Sequence, residues 1–267
     1  MNASPIGVFD SGMGGLTVMR ALTERLPKES FLYLGDTARL PYGTKSADTV
    51  KRYALQASRT LMERGVKMVV VACNTASVAL PALQEALSPL PVIGVIEPGA
   101  EAALAVAPDG PIAVIATEGT VKGGAYVRAI QARRATPVVQ QACPLFVPMT
   151  EEGLVAGPIA DAIVHRYLDP LLATVPKPKC LLLGCTHYPA LKPVIARVAG
   201  DVTLVDSAVT TAAAVEKLLK EKNIASSGGT VSRKFLATDA PDRFARVGEI
   251  FFGAAIDPGD VELIDLQ

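Results

Sequence analysis

Val69-Val70-Val71-Ala72-Cys73-Asn74-Thr75 and Leu181-Leu182-Leu183-Gly184-Cys185-Thr186-His187 match position for position in kind. Each has three aliphatic residues, a small one, a cysteine and two polar ones, with Cys185 standing 112 residues after Cys73. Aliphatic runs resemble one another by chance, so the shared ending is the informative part. A second echo lies well upstream of each. The run 6–9 leads into Asp10-Ser11-Gly12, and the run 113–116 leads into Thr117-Glu118-Gly119, 107 residues later. Two nearly equal offsets point to a duplicated α/β half.

The rest of the chain fits that reading. The run 6–9 enters Asp10-Ser11-Gly12-Met13-Gly14-Gly15, after which Leu16, Met19, Leu22 and Leu26 recur at helical spacing until Pro27. The run 31–34 reaches Gly35-Asp36-Thr37, and a loop through Pro41-Tyr42-Gly43 precedes a helical stretch over 47–63. The run 66–72 ends at Cys73 and gives way to a helical stretch ending near Ser88. The run 92–96 ends in a turn at Glu97-Pro98-Gly99. Further runs occupy 112–116, 138–142 and 181–184, and 161–172 reads as a helix carrying His165. Strands alternating with helices predict parallel sheets covered on both faces. The fold class is therefore α/β, a duplicated half of parallel strands covered by helices on both faces. At about 150 residues per domain, 267 residues accommodate two small domains or one large one.

Composition removes several functions. Half the residues are hydrophobic and 19% are charged, as in a globular chain with a full core. With 26 Lys+Arg against 26 Asp+Glu, no excess of positive charge argues for nucleic acid as a partner. The longest apolar runs, 68–73 and 180–185, fall far short of a membrane span, and residues 1–5 carry no basic leader. The four cysteines, at 73, 143, 180 and 185, show no C-x-x-C pair. Reduced thiols and a cytoplasmic location are the expectation.

A lone cysteine after an apolar strand is ordinarily a small buried hydrophobe. Cys143 and Cys180 take that reading, and Cys180 points to the opposite strand face from Cys185. Cys73 and Cys185 are different, because both fall at strand carboxyl ends, where open parallel sheets bind ligands, and both carry matched polar neighbours. Metal binding would need more ligands than His165 and His187 supply at usable spacing, and a redox dithiol would show C-x-x-C. Acid/base work by a thiol and a thiolate on opposite faces of a carbon centre remains, which is the minimum machinery of a racemase.

The polar groups nearby suit a small dianionic amino acid. N–H groups of the loop 10–15, at a helix start, can hold a carboxylate. Asn74, Thr75, Thr117, Thr120, Thr186 and His187 add donors, while Asp10 can accept from an ammonium, orient a thiol or simply cap the helix. Gly12-x-Gly14-Gly15 is not a dinucleotide fingerprint, and no phosphate-binding lysine loop is present. No metal, nucleotide or pyridoxal cofactor is expected.

Asp10-Ser11-Gly12-Met13-Gly14-Gly15, Gly35-Asp36-Thr37-Ala38-Arg39 with Pro41-Tyr42-Gly43, Ala72-Cys73-Asn74-Thr75-Ala76 and Gly184-Cys185-Thr186-His187-Tyr188-Pro189 together resemble the bacterial glutamate racemases, in the aspartate/glutamate racemase family. The resemblance runs from about residue 6 to 207, and 235–253 fits less distinctively. It implies a cofactor-independent, homodimeric enzyme that racemises glutamate and supplies D-glutamate for peptidoglycan. It also implies two similar doubly wound parallel-sheet α/β domains with the active site in the cleft between them, one of residues 1–97 plus 208–267 and the other of 98–207. Carried over, Cys73 and Cys185 are the two acid/bases, Asp10 assists Cys73, and His187 assists Cys185. The family's catalytic glutamate follows a Pro-x-x motif, here Pro148-Met149-Thr150-Glu151, with Glu152 adjacent and Thr150 where the family commonly has Val. Ser11, Asn74, Thr75, Thr117, Thr120 and Thr186 bind substrate, Pro41-Tyr42-Gly43 forms a wall, and Asp36 supports the site.

Other functions use some of the same residues. A sister racemase would take aspartate with the same thiols. A thiol hydrolase would use Cys185 as nucleophile and His187 as base, which needs a turn that brings residues i and i+2 together and leaves Cys73 unexplained. A small-acid binding protein would keep the cleft and not the chemistry.

Overall fold

The computed structural model describes residues 4–174 and 176–266; residues 1–3, part of the stretch read above as lacking a leader, lie outside the described residues. Among the described residues, no helix is long and apolar enough to cross a membrane.

Among the described residues, ten strands form two all-parallel sheets. They are β1 (Ile6–Asp10), β2 (Phe31–Gly35), β3 (Met68–Val71), β4 (Val92–Gly94), β5 (Ile112–Ala116), β6 (Val138–Ala142), β7 (Cys180–Gly184), β8 (Thr203–Asp206), β9 (Arg233–Ala237) and β10 (Val261–Leu263). The six-stranded sheet runs β10-β9-β2-β1-β3-β4, and the four-stranded sheet runs β6-β5-β7-β8. The order 2-1-3-4 in the first is the order 6-5-7-8 in the second. The duplication read in the sequence is thus present as topology, β1 corresponding to β5 and β3 to β7. Every residue of β1, β3, β5 and β7 is buried, as expected of central strands with helices on both faces.

The helices fill both faces of each sheet. Leu16, Val18, Met19 and Leu22 of the helix Leu16–Arg25 join Ala208, Ala212, Val215 and Leu219 of the helix Ser207–Glu221 in a core that also holds Phe244 and Phe251 from the helix Pro241–Phe252. The chain therefore returns to the first sheet after completing the second. On the other face of the six-stranded sheet, the helix Ala47–Glu63 buries Val50, Ala54, Ala57 and Leu61 against Val69 and Val71. Ser46 caps its start by accepting the Thr49 N–H at 3.3 Å.

Several sequence expectations change in detail. The run 66–72 contracts to β3, and the helical stretch after Cys73 is a 3₁₀ turn, Ala76–Ala79, followed by the helix Leu80–Ala86. The run 92–96 ends as a strand at Gly94, and Glu97-Pro98-Gly99 lies inside the helix Ile96–Val106 rather than in a turn. Proline in a first helical turn gives up no hydrogen bond, so Pro98 does not stop that helix. β8, β9 and β10 were not expected.

Candidate active site

Both sheets turn the carboxyl ends of their strands toward one cleft. Cys73 stands two residues beyond β3 and Cys185 directly beyond β7, and both line a cavity of about 40 Å³. Ser11, Asn74, Thr75 and the wall Pro41-Tyr42-Gly43 line it from the first sheet's side, and Thr117, Glu151, Thr186 and His187 from the second. The cavity holds space for about three waters, less than a glutamate occupies. Asp10, Asp36 and Thr120 lie one layer behind.

Around Cys73 the groups come from the strand-end loops. Its Sγ is 3.4 Å from Ser11 Oγ and accepts the Ala76 N–H at 3.4 Å. Burial, then the negative charge of Asp10, pushes the Cys73 thiol up to about 12, so it is protonated at neutral pH. Asp10 ends β1, fully buried, and its Oδ2 accepts the Gly12 N–H at 2.9 Å. Burial raises the Asp10 carboxyl, against the pull of His187 and of the Gly15, Gly12 and Ser11 N–H groups. Those loop N–H groups, expected above to hold a substrate carboxylate, are therefore turned to Asp10 itself. Asp10 does not cap the helix Leu16–Arg25, which has no side-chain cap.

Cys185 has a different set of partners. The chain turns into the 3₁₀ segment Tyr188–Leu191 and swings His187 back, placing its Nδ1 3.8 Å from Cys185 Sγ. His187 Nε2 lies 3.2 Å from Glu151 Oε1, and Glu151 Oε2 accepts from Arg243 at 2.9 Å. Burial works against a charged His187, but the hydrogen bonds to Cys185 and Glu151 outweigh it and push the imidazole up to about 10. Burial acts to raise the Glu151 carboxyl, yet His187 and Arg243 together hold it below the usual value. Glu152, its neighbour, is exposed. Arg243 is the site residue that the sequence reading missed.

Hydroxyl and amide groups close the remaining sides. Thr75, Thr117 and Thr120 form a ring of hydroxyls 3.0–3.2 Å apart across the cleft. Tyr126 donates to Asn74 Oδ1 at 2.6 Å, leaving Asn74 Nδ2 buried without a partner among the described residues. Asp36 holds the wall in place: it accepts from Tyr42, from Arg39 Nε at 2.7 Å and from Thr238 Oγ1 at 3.0 Å. Cys180 packs in the core on the opposite face of β7 from Cys185, as expected, and Cys143 is also buried. His165 pairs with Asp169 on an exposed helix face. Among the described residues no group of three or more His, Cys, Asp or Glu is placed to hold a metal ion.

The glycine loop after β1 allows the second half of the site to approach. A Cβ on Gly14 would lie 2.4 Å from the His187 ring and 2.6 Å from Thr186 Oγ1. Gly14→Ala is expected to lower kcat about 10–100-fold by displacing the imidazole, while costing only about 1–3 kcal/mol of stability. Steady-state kinetics beside thermal unfolding check this; unchanged kcat in a folded variant refutes the close packing of His187 on Gly14.

The cleft between the two parallel-sheet α/β domains thus receives a thiol from each side, each with its own ionisable neighbour. The chain matches the Asp/Glu/hydantoin racemase family over residues 6–216. It is 47% identical to a glutamate racemase of Geobacter metallireducens, covering 98% of this chain and 97% of that one. The solved glutamate racemase of Francisella tularensis, in complex with D-glutamate, superposes with a TM-score of 0.92 at 37% identity, covering 99% and 98% of the two chains. One from Bacillus anthracis superposes at 0.94 with 39% identity, covering 100% and 99%. This chain belongs to the Asp/Glu/hydantoin racemase family, and is an isomerase by that membership.

Proposed function

We propose that this chain racemises glutamate with two thiols and no metal or organic cofactor. The observation that carries the reading is that Cys73 and Cys185 line one cavity from opposite sides of the cleft, each with its own polar partners. Cys73 is held as a thiol, whereas Cys185 faces a His187 imidazole that stays protonated at neutral pH. Cys185 then takes the α-proton from one face as a thiolate, and Cys73 delivers its proton to the other face of the carbanion. The return direction runs through the same two groups with their protonation exchanged. Asp10 assists Cys73, and His187, held by Glu151, assists Cys185. Thr75 and Thr117, backed by Thr120, bind the substrate's charged ends together with Asn74 Nδ2, Ser11 and Thr186. Asp36 acts through the wall it holds rather than by touching substrate. The Cys185–His187 contact satisfies the geometry a hydrolase needs, but a nucleophile mechanism gives Cys73, in the same cavity, no role.

We further propose a place in D-glutamate supply for peptidoglycan, in the cytoplasm and as a homodimer, as the resemblance to the bacterial glutamate racemases implies. The return of the chain to the first sheet supports domains of 1–97 plus 208–267 and 98–207.

A chiral product assay tests the substrate. After exhaustive dialysis against chelator, either enantiomer of glutamate is expected to give the racemate with no added metal or pyridoxal phosphate. Aspartate, shorter by one methylene, is expected to turn over with kcat/KM about 10–200-fold lower. Activity that returns only with metal or pyridoxal phosphate would overturn the two-thiol reading, and preference for aspartate would reassign the substrate.

A further inference from the structure

Glu151 uses its two oxygens in two directions. Oε1 faces His187, on the same side of the cleft, and Oε2 accepts from Arg243, on the other. Arg243 lies in the first turn of the helix Pro241–Phe252, whose Phe244, Ala245 and Phe251 belong to the six-stranded sheet's core. Glu151 ends the helix Phe146–Glu151, whose Phe146 and Met149 belong to the four-stranded sheet's core. The pair therefore bridges the two sides of the cleft. The same C-terminal helix also places the Phe251 ring edge-on to the His187 ring, with centroids 4.9 Å apart at 73°.

We propose that Arg243 is a positioning residue for the Cys185 half of the site, fixing the Glu151 carboxylate against His187 when the two sides of the cleft are closed. This inference rests on the two-thiol reading of the site. A carboxylate with one oxygen on an imidazole and the other in water rotates freely about its last bond. A guanidinium on the second oxygen removes that freedom with a strong, directional hydrogen bond. The Arg243–Glu151 bond spans the two sides of the cleft, so it is made only while those sides are together. Glu151 is then aligned on His187 only in the closed form, so the base on Cys185's side is set when substrate is enclosed. Arg243 is 40% exposed, and a pair of that exposure adds little to stability. Its function is local.

The sign of its removal separates two accounts. The groups acting on His187 are Cys185 at Nδ1, Glu151 at Nε2, Asp10 through space and Arg243 behind Glu151. Were Arg243 only a nearby positive charge, its loss would make His187 easier to protonate. If it aligns Glu151, its loss withdraws the carboxylate and His187 titrates at lower pH.

The experiment is an NMR titration of the imidazole in a His165→Asn background, where His187 is the one remaining histidine. Arg243→Met is expected to move the His187 titration to lower pH, with kcat down about tenfold and KM changed less than about twofold. Arg243→Lys should recover most of both effects, and the thermal midpoint should stay within a few degrees of the parent. A His187 titration that is unchanged or moved upward, or a loss seen in KM or thermal stability alone, overturns the proposal. A parent protein that fails to racemise either enantiomer refutes the two-thiol reading instead, and the titration remains a separate measurement.

Discussion

Cys73→Ala and Cys185→Ala are each expected to lower racemisation by about 10²–10⁴-fold, because each removes the acid/base of one face and general acid/base groups contribute about that factor. Neither loss is compensated by the surviving thiol. A one-sided site returns a proton to the face it came from and leaves the configuration unchanged. The effect is chemical and not structural. Both residues lie past the ends of their strands, at the cavity edge of their cores, so losing the sulfur leaves the strand ladders in place. Cys143→Ala and Cys180→Ala form the control pair. Both are fully buried in core clusters, and their loss acts through packing, at a cost of at most a few kcal/mol. Chiral chromatography of products, with circular dichroism to confirm the fold, measures all four variants. A folded Cys73→Ala or Cys185→Ala protein with more than a few per cent of parent activity refutes the paired-thiol mechanism. Loss of activity in a folded, stable Cys143 or Cys180 variant refutes the assignment of the site.

The strands that carry the site are legible in the sequence because they are buried on both faces. β1, β3, β5 and β7 read as unbroken aliphatic runs, and burial leaves no polar position to break the pattern. The missed strands are of another kind. β8 opens on exposed Thr203 at a sheet edge, β9 opens on exposed Arg233 and Lys234, and β10 is three residues long with Glu262 and Leu263 exposed. Such strands are specified by the edge they pair with, which local pattern does not reveal. The duplication was legible through the shared ending after β3 and β7, and the strand order turns it into geometry.

The site divides in a similar way. Cys73, Cys185, Ser11, Asn74, Thr75, Thr117 and Thr186 follow strand ends directly, so their motifs carry them into the cleft. Asp36 and Thr120 belong to the same motifs but act one layer back, on Tyr42 and on the hydroxyl ring. Motif matching does not separate a group that touches substrate from one that holds its neighbour. Glu151 depends on the family motif alone, since a glutamate ending a short helix is ordinarily solvated. Arg243 carries no signal at all. It is one charge among Asp242, Arg246 and Glu249 on an amphipathic helix, and its partner lies 92 residues earlier in the chain. Its part in the site arises from tertiary approach.

The proton's path is read most directly by isotope. In deuterated water, L-glutamate formed early from unlabelled D-glutamate is expected to carry deuterium at the α-carbon almost completely, while the recovered D-glutamate stays largely unlabelled. The reason lies in the enclosure of the two thiols. While the cleft is open, both exchange with solvent, so the product-side thiol enters each turnover carrying deuterium. Once the sides close on a cavity in which Cys73 and Cys185 are each 5% exposed, exchange stops. The substrate-side thiolate then receives the substrate's own proton and, on reversal, hands the same proton back. The reverse reaction, from L-glutamate, shows the mirror pattern. Mass spectrometry of each enantiomer at low conversion measures the four pools. Equal early labelling of both enantiomers would mean that one solvent-exchanging base samples both faces, against the separate partners of Cys73 and Cys185. Protium retained in the product would mean that a single group carried the proton across. Neither result is compatible with Cys73 held by Ser11 and the Ala76 N–H on one side of the carbon and Cys185 held by His187 on the other.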